Sequence, residues 1–180
     1  VLEGPKATIK RVIIQGNDRL YEEIIRRELR TKPGAVFGKE DLLRSGREIA
    51  QTGHFDPEAL QANIGGGIHP NPEDGTVDLT YPLTSKGNDQ IEFSAGWGVT
   101  GLVGRLSLKL NNFSLKNMLN PSMHRGIIPQ GDGQTLMLSA QTNGQYYQSY
   151  QFQFVEPWFG GKRPNYFSVN AYYSRYTGLN

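Results

Sequence analysis

Apolar and polar residues alternate most regularly over residues 89–112. Ile91, Phe93, Ala95, Trp97 and Val99 interleave with Glu92, Ser94, Gly96 and Gly98; after a glycine-containing turn, Leu102, Leu106, Leu108 and Leu110 interleave with Arg105, Ser107, Lys109 and Asn111. A period of two predicts strands with one apolar and one polar face. The pattern returns three times. Leu136, Leu138 and Ala140 stand opposite Met137, Ser139 and Gln141; Tyr150, Phe152 and Phe154 opposite Gln151 and Gln153; and Phe167, Val169, Ala171 and Tyr173 opposite Ser168, Asn170 and Tyr172. Gly144-Gln145 and the run GGKRP at 160–164 are predicted turns, and residues 113–133, broken by Asn120-Pro121, Pro129 and Gly131-Asp132-Gly133, a loop.

The first half has a different rhythm. Residues 7–15 (ATIKRVIIQ) form a β-branched run closed by the turn pair Gly16-Asn17. Asp18 is placed to cap a helix in which Leu20, Ile24, Ile25 and Leu29 recur at helical spacing, stopped by Pro33-Gly34. A second helix is predicted from Lys39 to Thr52, with Leu42, Leu43, Ile49 and Ala50 inward and Gly53 ending it. Two more strands are predicted, at 60–64 and 77–83, joined by a polar loop carrying Pro70, Pro72 and Asp74-Gly75. The expected order is strand, helix, helix, strand, strand.

Composition separates the halves further. Residues 1–83 carry 11 basic and 13 acidic side chains and 4 aromatics, against 8, 4 and 15 in residues 84–180, so two domains are expected, 1–84 and 85–180. The near-balanced total charge gives no basis for a nucleic-acid partner. With no cysteine, disulfides and thiolate sites are excluded. No apolar run is long enough for a transmembrane helix, but a barrel strand needs only about 9–11 residues, half of them polar. Tyr146, Tyr147, Trp158, Phe159 and Tyr166 gather at strand ends, where barrels carry interfacial girdles. A soluble β-sandwich with an aromatic core satisfies the same alternation.

Gly96-Trp97-Gly98-Val99-Thr100-Gly101 fits the GxGxxG pattern of dinucleotide sites. Such a loop needs a helix after it and an acidic residue about 20 positions on. Residues 102–111 are strand-periodic instead, so the glycines are read as a thin, deformable strand end and turn. His54, His69 and His124 have no partner at metal spacing, and Glu92, Asp132 and Glu156 no triad or paired carboxylate. No catalytic, metal or cofactor-binding residue is assigned. The sequon Asn112-Phe113-Ser114 is given no weight, and Arg105 and Lys109 fit either ordinary lumen polarity or pairing with a plug loop.

VIIQGNDRLYEEIIRRELRTKPG and GHFDPEALQANI resemble a POTRA domain, the periplasmic module preceding outer-membrane insertase barrels. Glu3-Gly4-Pro5 resembles the close of a preceding repeat, so residues 1–5 are expected to be its tail. FSLKNMLNP at 113–121, GDGQTLMLSAQTNGQYYQSYQFQFVEPWFGGKRPNYFSVNAYYS at 131–174 and the element Glu156-Pro157-Trp158-Phe159 resemble the first barrel strands of the BamA family, most closely its Bacteroidetes-type members. The resemblance implies an α+β POTRA domain (β-α-α-β-β) followed by antiparallel strands of an incomplete outer-membrane β-barrel, five strands being too few to close. It further implies a non-enzymatic, cofactor-free insertase, with the POTRA domain periplasmic. The implied partners are client outer-membrane proteins, periplasmic chaperones, accessory lipoproteins and outer-membrane lipids. Asp89, Gln90, Ile91, Glu92, Phe93, Ser94, Ala95, Gly96, Trp97 and Gly98 would form the gate strand that pairs with clients. Leu60, Gln61, Ala62, Asn63 and Ile64 are expected to offer a POTRA edge for β-augmentation. A TamA-like or two-partner secretion translocator and a soluble β-rich binding module remain as alternatives.

Overall fold

Val77, Asp78, Leu79, Thr80 and Tyr81 are all buried, which no period-two strand with a wet face would allow. They belong to β3 (Thr76–Pro82), the middle of a three-stranded sheet in the order β1-β3-β2. It runs parallel to β1 (Thr8–Gln15) and antiparallel to β2 (Ile68–Asn71). The structure, a computed structural model, describes residues 6–123 and 128–178, so the expectations for residues 1–5 and for His124 fall outside the described residues. The chain divides into two compact units, Val1–Gly87 and Asn88–Asn180.

Three helices complete the first unit: α1 (Glu22–Arg26), α2 (Lys39–Gln51) and α3 (Pro57–Asn63), the last running into a single 3-10 turn (Ile64–Gly67). Leu20, Ile25, Leu29, Leu42, Ile49 and Leu60 meet Ile9, Val12, Leu79 and Tyr81 in one core. Burying each such side chain contributes about 1.5–3 kcal/mol, more than any exposed ion pair of the unit. Tyr81 keeps its polar end satisfied through a 2.7 Å bond with the Thr31 hydroxyl, and burial pushes its phenol pKa up. Gly16, at φ +78°, closes β1 where a Cβ would stand 2.0 Å from the Leu83 carbonyl oxygen.

Two expectations are corrected here. Residues 60–64 are not a strand, so Leu60, Gln61, Ala62, Asn63 and Ile64 offer no edge for an incoming peptide. Asp56 accepts the Glu58 and Ala59 amides and Pro57 takes the first helical position, a start signal that commits the segment to helix. Leu60 and Ile64, four apart, then face the core together. The strand lies further on, at β2, inside the segment expected to be a polar loop. The first helix also starts later than Asp18: Asn17 bonds both the amide and the carbonyl of Leu20, closing a turn before the helix begins.

Two carboxylates on this sheet are held ionised. Hydrogen bonds from Lys10 and then from Thr76 hold Asp74 down to about 2, and the Arg11 guanidinium, 2.7 Å away, holds Asp78 below the usual carboxylate range. Both folded-state values lie under the unfolded one, roughly 3.9. Their stabilisation is therefore complete above about pH 4 and is lost as the pH falls towards 2. Hydrogen exchange of β1 and β3 amides in urea is expected to show this acid loss, with the share from Lys10–Asp74 small because both of its partners are exposed, and Asp74→Asn is expected to remove that share.

In the second unit β4 (Gln90–Gly98), β5 (Gly101–Phe113), β6 (Gln134–Asn143), β7 (Tyr147–Glu156) and β8 (Phe167–Tyr176) form one antiparallel sheet in sequential order. The sheet is open. A short helix, α4 (Leu115–Leu119), and a 3-10 turn (Pro121–Met123) occupy part of the β5–β6 connection.

Candidate functional site

The strand register sorts the side chains of the second unit into two surfaces. Ile91 stands opposite Leu108, followed across the sheet by Leu138, Phe152 and Ala171; the next row is Phe93, Leu106, Ala140, Tyr150 and Tyr173. On the other surface the rows are Glu92, Ser107, Ser139, Gln151 and Tyr172, and Ser94, Arg105, Gln141, Ser149 and Ser174. One face is thus a continuous apolar field and the other polar. The apolar field is uncovered: Phe93 is 77 % and Trp97 84 % exposed. A depression of about 520 Å³ on it is a shallow trough among Leu106, Leu138, Tyr150, Phe152 and Tyr173. A water-facing apolar surface of this extent marks contact with lipid or with another protein. Strands of 9 to 13 residues are long enough for a tilted barrel strand.

β4 pairs with β5 alone, leaving its other edge with unpaired backbone N–H and C=O groups among the described residues; β8 has the same relation to β7. The start of β4 is tied down, the end less so. Asp89, just before the strand, accepts the Asn111 amide at 2.8 Å, so its carboxylate faces β5 rather than the free edge. Farther along, Gly96 and Gly98 contribute no side chain. A Cβ at Gly96 would meet nothing within 4 Å, whereas one at Gly98 would lie 3.0 Å from a Val103 methyl. Gly101, at φ +107°, turns the chain straight into β5, so no helix follows the GxGxxG glycines.

The expected aromatic set is split. Phe159 stacks on Phe167 at 4.8 Å at one end of the sheet, with Trp158 and Tyr166 close by in sequence. Tyr146 lies in the β6–β7 turn at the opposite end, its carbonyl accepting the Thr177 amide. Tyr147 does not belong to an outward girdle. It shares the polar face with Gln151 and Gln153, bonds the Tyr172 hydroxyl at 2.9 Å and packs on Tyr176 at 4.9 Å. Strand parity settles this: Tyr147 is an odd number of residues from Tyr150 and Phe152.

One constellation was not anticipated. Ser114 caps α4 by accepting the Asn117 amide and donates to Asp132; Asn117 donates to the Gln130 carbonyl. Gln134 accepts the Leu115 amide and donates at 2.6 Å to Glu156, which accepts the Trp158 amide. These bonds fasten the β5–β6 connection to the ends of three strands. The sequence signal was Ser114 itself, a favoured N-cap residue, hidden in what read as loop. Asn112 is buried and accepts the Gly133 amide, so the sequon asparagine serves this end of the sheet. The described residues contain no cluster able to hold a metal ion and no helix long and apolar enough to cross a membrane.

Comparison with known proteins adds the lineage. The POTRA family profile, described as a surface antigen variable number repeat, matches residues 7–86. The outer membrane protein assembly factor BamA of Neisseria meningitidis serogroup B is 32 % identical over 113 residues, 61 % of this chain and 13 % of that protein. A Treponema pallidum protein assigned as an outer membrane protein assembly factor is 26 % identical over 162 residues, 89 % of this chain and 17 % of that one. The chain therefore spans less than a fifth of either relative. The crystal structure of BamA from Haemophilus ducreyi lacking POTRA domains 1–3 matches with a TM-score of 0.64 at 19 % identity, over 96 % of this chain and 28 % of that one, a likeness of fold.

Proposed function

We propose that this chain, which matches the POTRA family over residues 7–86 and is similar to BamA-type outer-membrane assembly factors, is part of an insertase that assembles client β-barrel proteins in the outer membrane. In this reading residues 1–84 are a periplasmic POTRA domain and residues 85–180 the first strands of a transmembrane barrel. The observation that carries it is the free edge of β4, on a sheet with one apolar and one polar face. An edge strand is a template for backbone pairing, and a client strand that adds to it satisfies its own N–H and C=O groups before it meets lipid. No bond is broken and no nucleotide is consumed. The free energy comes from client burial in the bilayer and from the new backbone hydrogen bonds.

Chaperones and accessory lipoproteins would deliver clients on the periplasmic side, and outer-membrane lipid would cover the apolar face. Gly96 and Gly98 act here as a weak segment of the seam, since glycine is a poor strand former. Gly96→Val tests this with little steric confusion, because a side chain there enters open space. Stiffening the strand by up to about 1 kcal/mol shifts the opening equilibrium about fivefold. In this reading the full barrel closes and opens between β4 and its last strand, which lies outside residues 1–180; client insertion by the full protein is expected to slow, and disulfide trapping between those two strands to rise. Unchanged insertion and trapping in Gly96→Val and Gly98→Val would rule out the glycines as the gate.

A further inference from the structure

Helix α4 is built inside out. A surface helix ordinarily turns its apolar stripe inward and its polar residues to water. Here Asn117 is 0 % exposed while Leu119 is 72 % exposed, and Leu115 and Met118, which share its side of the helix at three- and four-residue spacing, are exposed as well. Five residues do not hold a helix by propensity. The Ser114 cap, the Asn117 bond to the Gln130 carbonyl at 2.8 Å and the Leu115 bond to Gln134 at 2.8 Å hold it instead. Polar bonds spent on fixing a helix with its leucines outward indicate a surface that meets an apolar phase.

The position of the helix indicates which phase. Gln134, which receives the first helical amide, has the same parity as Leu136 and Leu138 on the apolar face, and Phe113 just before the cap packs edge-on against Phe154 of that face at 6.4 Å. The leucines thus continue the apolar field past the strand ends, with Lys116 exposed beside them. We infer that α4 lies in the plane of the membrane as an interfacial anchor, with Leu115, Met118 and Leu119 in the headgroup–acyl boundary of the leaflet at that end of the strands. The Lys116 ammonium meets lipid phosphates there. The inference rests on the membrane reading given above.

None of residues 1–180 is a cysteine, so in a full protein freed of any cysteine elsewhere a label can be placed at a single chosen position. Leu119→Cys or, as an independent position, Met118→Cys is labelled with an environment-sensitive nitrobenzoxadiazole dye in the full protein, reconstituted in phosphatidylcholine vesicles carrying shallow or deep doxyl quenchers. A second protein carries the label at Phe152→Cys, in the middle of the apolar face. Blue-shifted emission at 119 and 118 with greater loss to the shallow quencher, and greater loss to the deep quencher at 152, is the expected result. Water-like emission at 119 and 118, or a blue shift without lipid quenching because a protein partner or second copy covers the helix, overturns the inference if 152 is still quenched. Absence of quenching at all positions overturns the membrane reading itself.

Discussion

Arginine in place of Phe152 is expected to destabilise the membrane-embedded sheet by about 2–4 kcal/mol, while arginine at its neighbour Gln151 is tolerated. The two residues differ by one step along β7 and therefore by a face. Phe152 stands between Leu138 and Ala171 in an apolar row, and Gln151 between Ser139 and Tyr172 in a polar one. At the middle of a bilayer the guanidinium must give up hydration or drag water and headgroups inward; on the opposite surface it remains solvated. The cost is depth-dependent, so Phe167→Arg, at the start of β8 in the stacked aromatic pair, should lose only about 0–1 kcal/mol. Urea midpoints of the vesicle-folded protein would rank the three variants. Equal sensitivity at Phe152 and Phe167 would mean that the apolar face packs on protein, as a soluble sandwich requires.

What could be read in the sequence followed the solvent. Each of the five strands β4 to β8 has one apolar and one polar face, so its period of two was explicit in residues such as Phe93, Ser94, Ala95 and Leu106, Ser107, Leu108. β3 was legible as a strand at 77–83, although nothing in its sequence shows that both of its faces are buried. The failures occurred where a local cap or tertiary packing outweighed the pattern. Leu60 and Ile64 looked like strand residues until Asp56 and Pro57 are counted as a helix start. β2 was concealed because Pro70 and three neighbours read as loop, although pairing with Thr76, Val77, Asp78 and Leu79 makes them a strand. Helix α4 was invisible to a search for buried apolar stripes, since its buried residue is an asparagine and its exposed ones are leucines. Tyr147 was grouped with the girdle by its place near a strand end, yet parity turns it onto the polar face.

The second large effect concerns the free edge of β4. A client strand that pairs there must lie at inter-strand spacing, roughly 4.5–5.5 Å between Cα atoms, from each β4 residue in turn, and must have a fixed register at any moment. Residues 1–180 contain no cysteine, so cysteines placed one at a time from Gln90 to Gly98, in a full protein freed of any cysteine outside this segment, would report pairing residue by residue. The decisive measurement is disulfide trapping between these positions in the full membrane-embedded protein and single cysteines along one strand of a nascent outer-membrane barrel protein. Pairing at the edge predicts crosslinks at many β4 positions, each with a client position that shifts one residue for one residue in a single direction. Crosslinks that show no register, or that form equally well with cysteines in β7 at the middle of the sheet, would contradict the account.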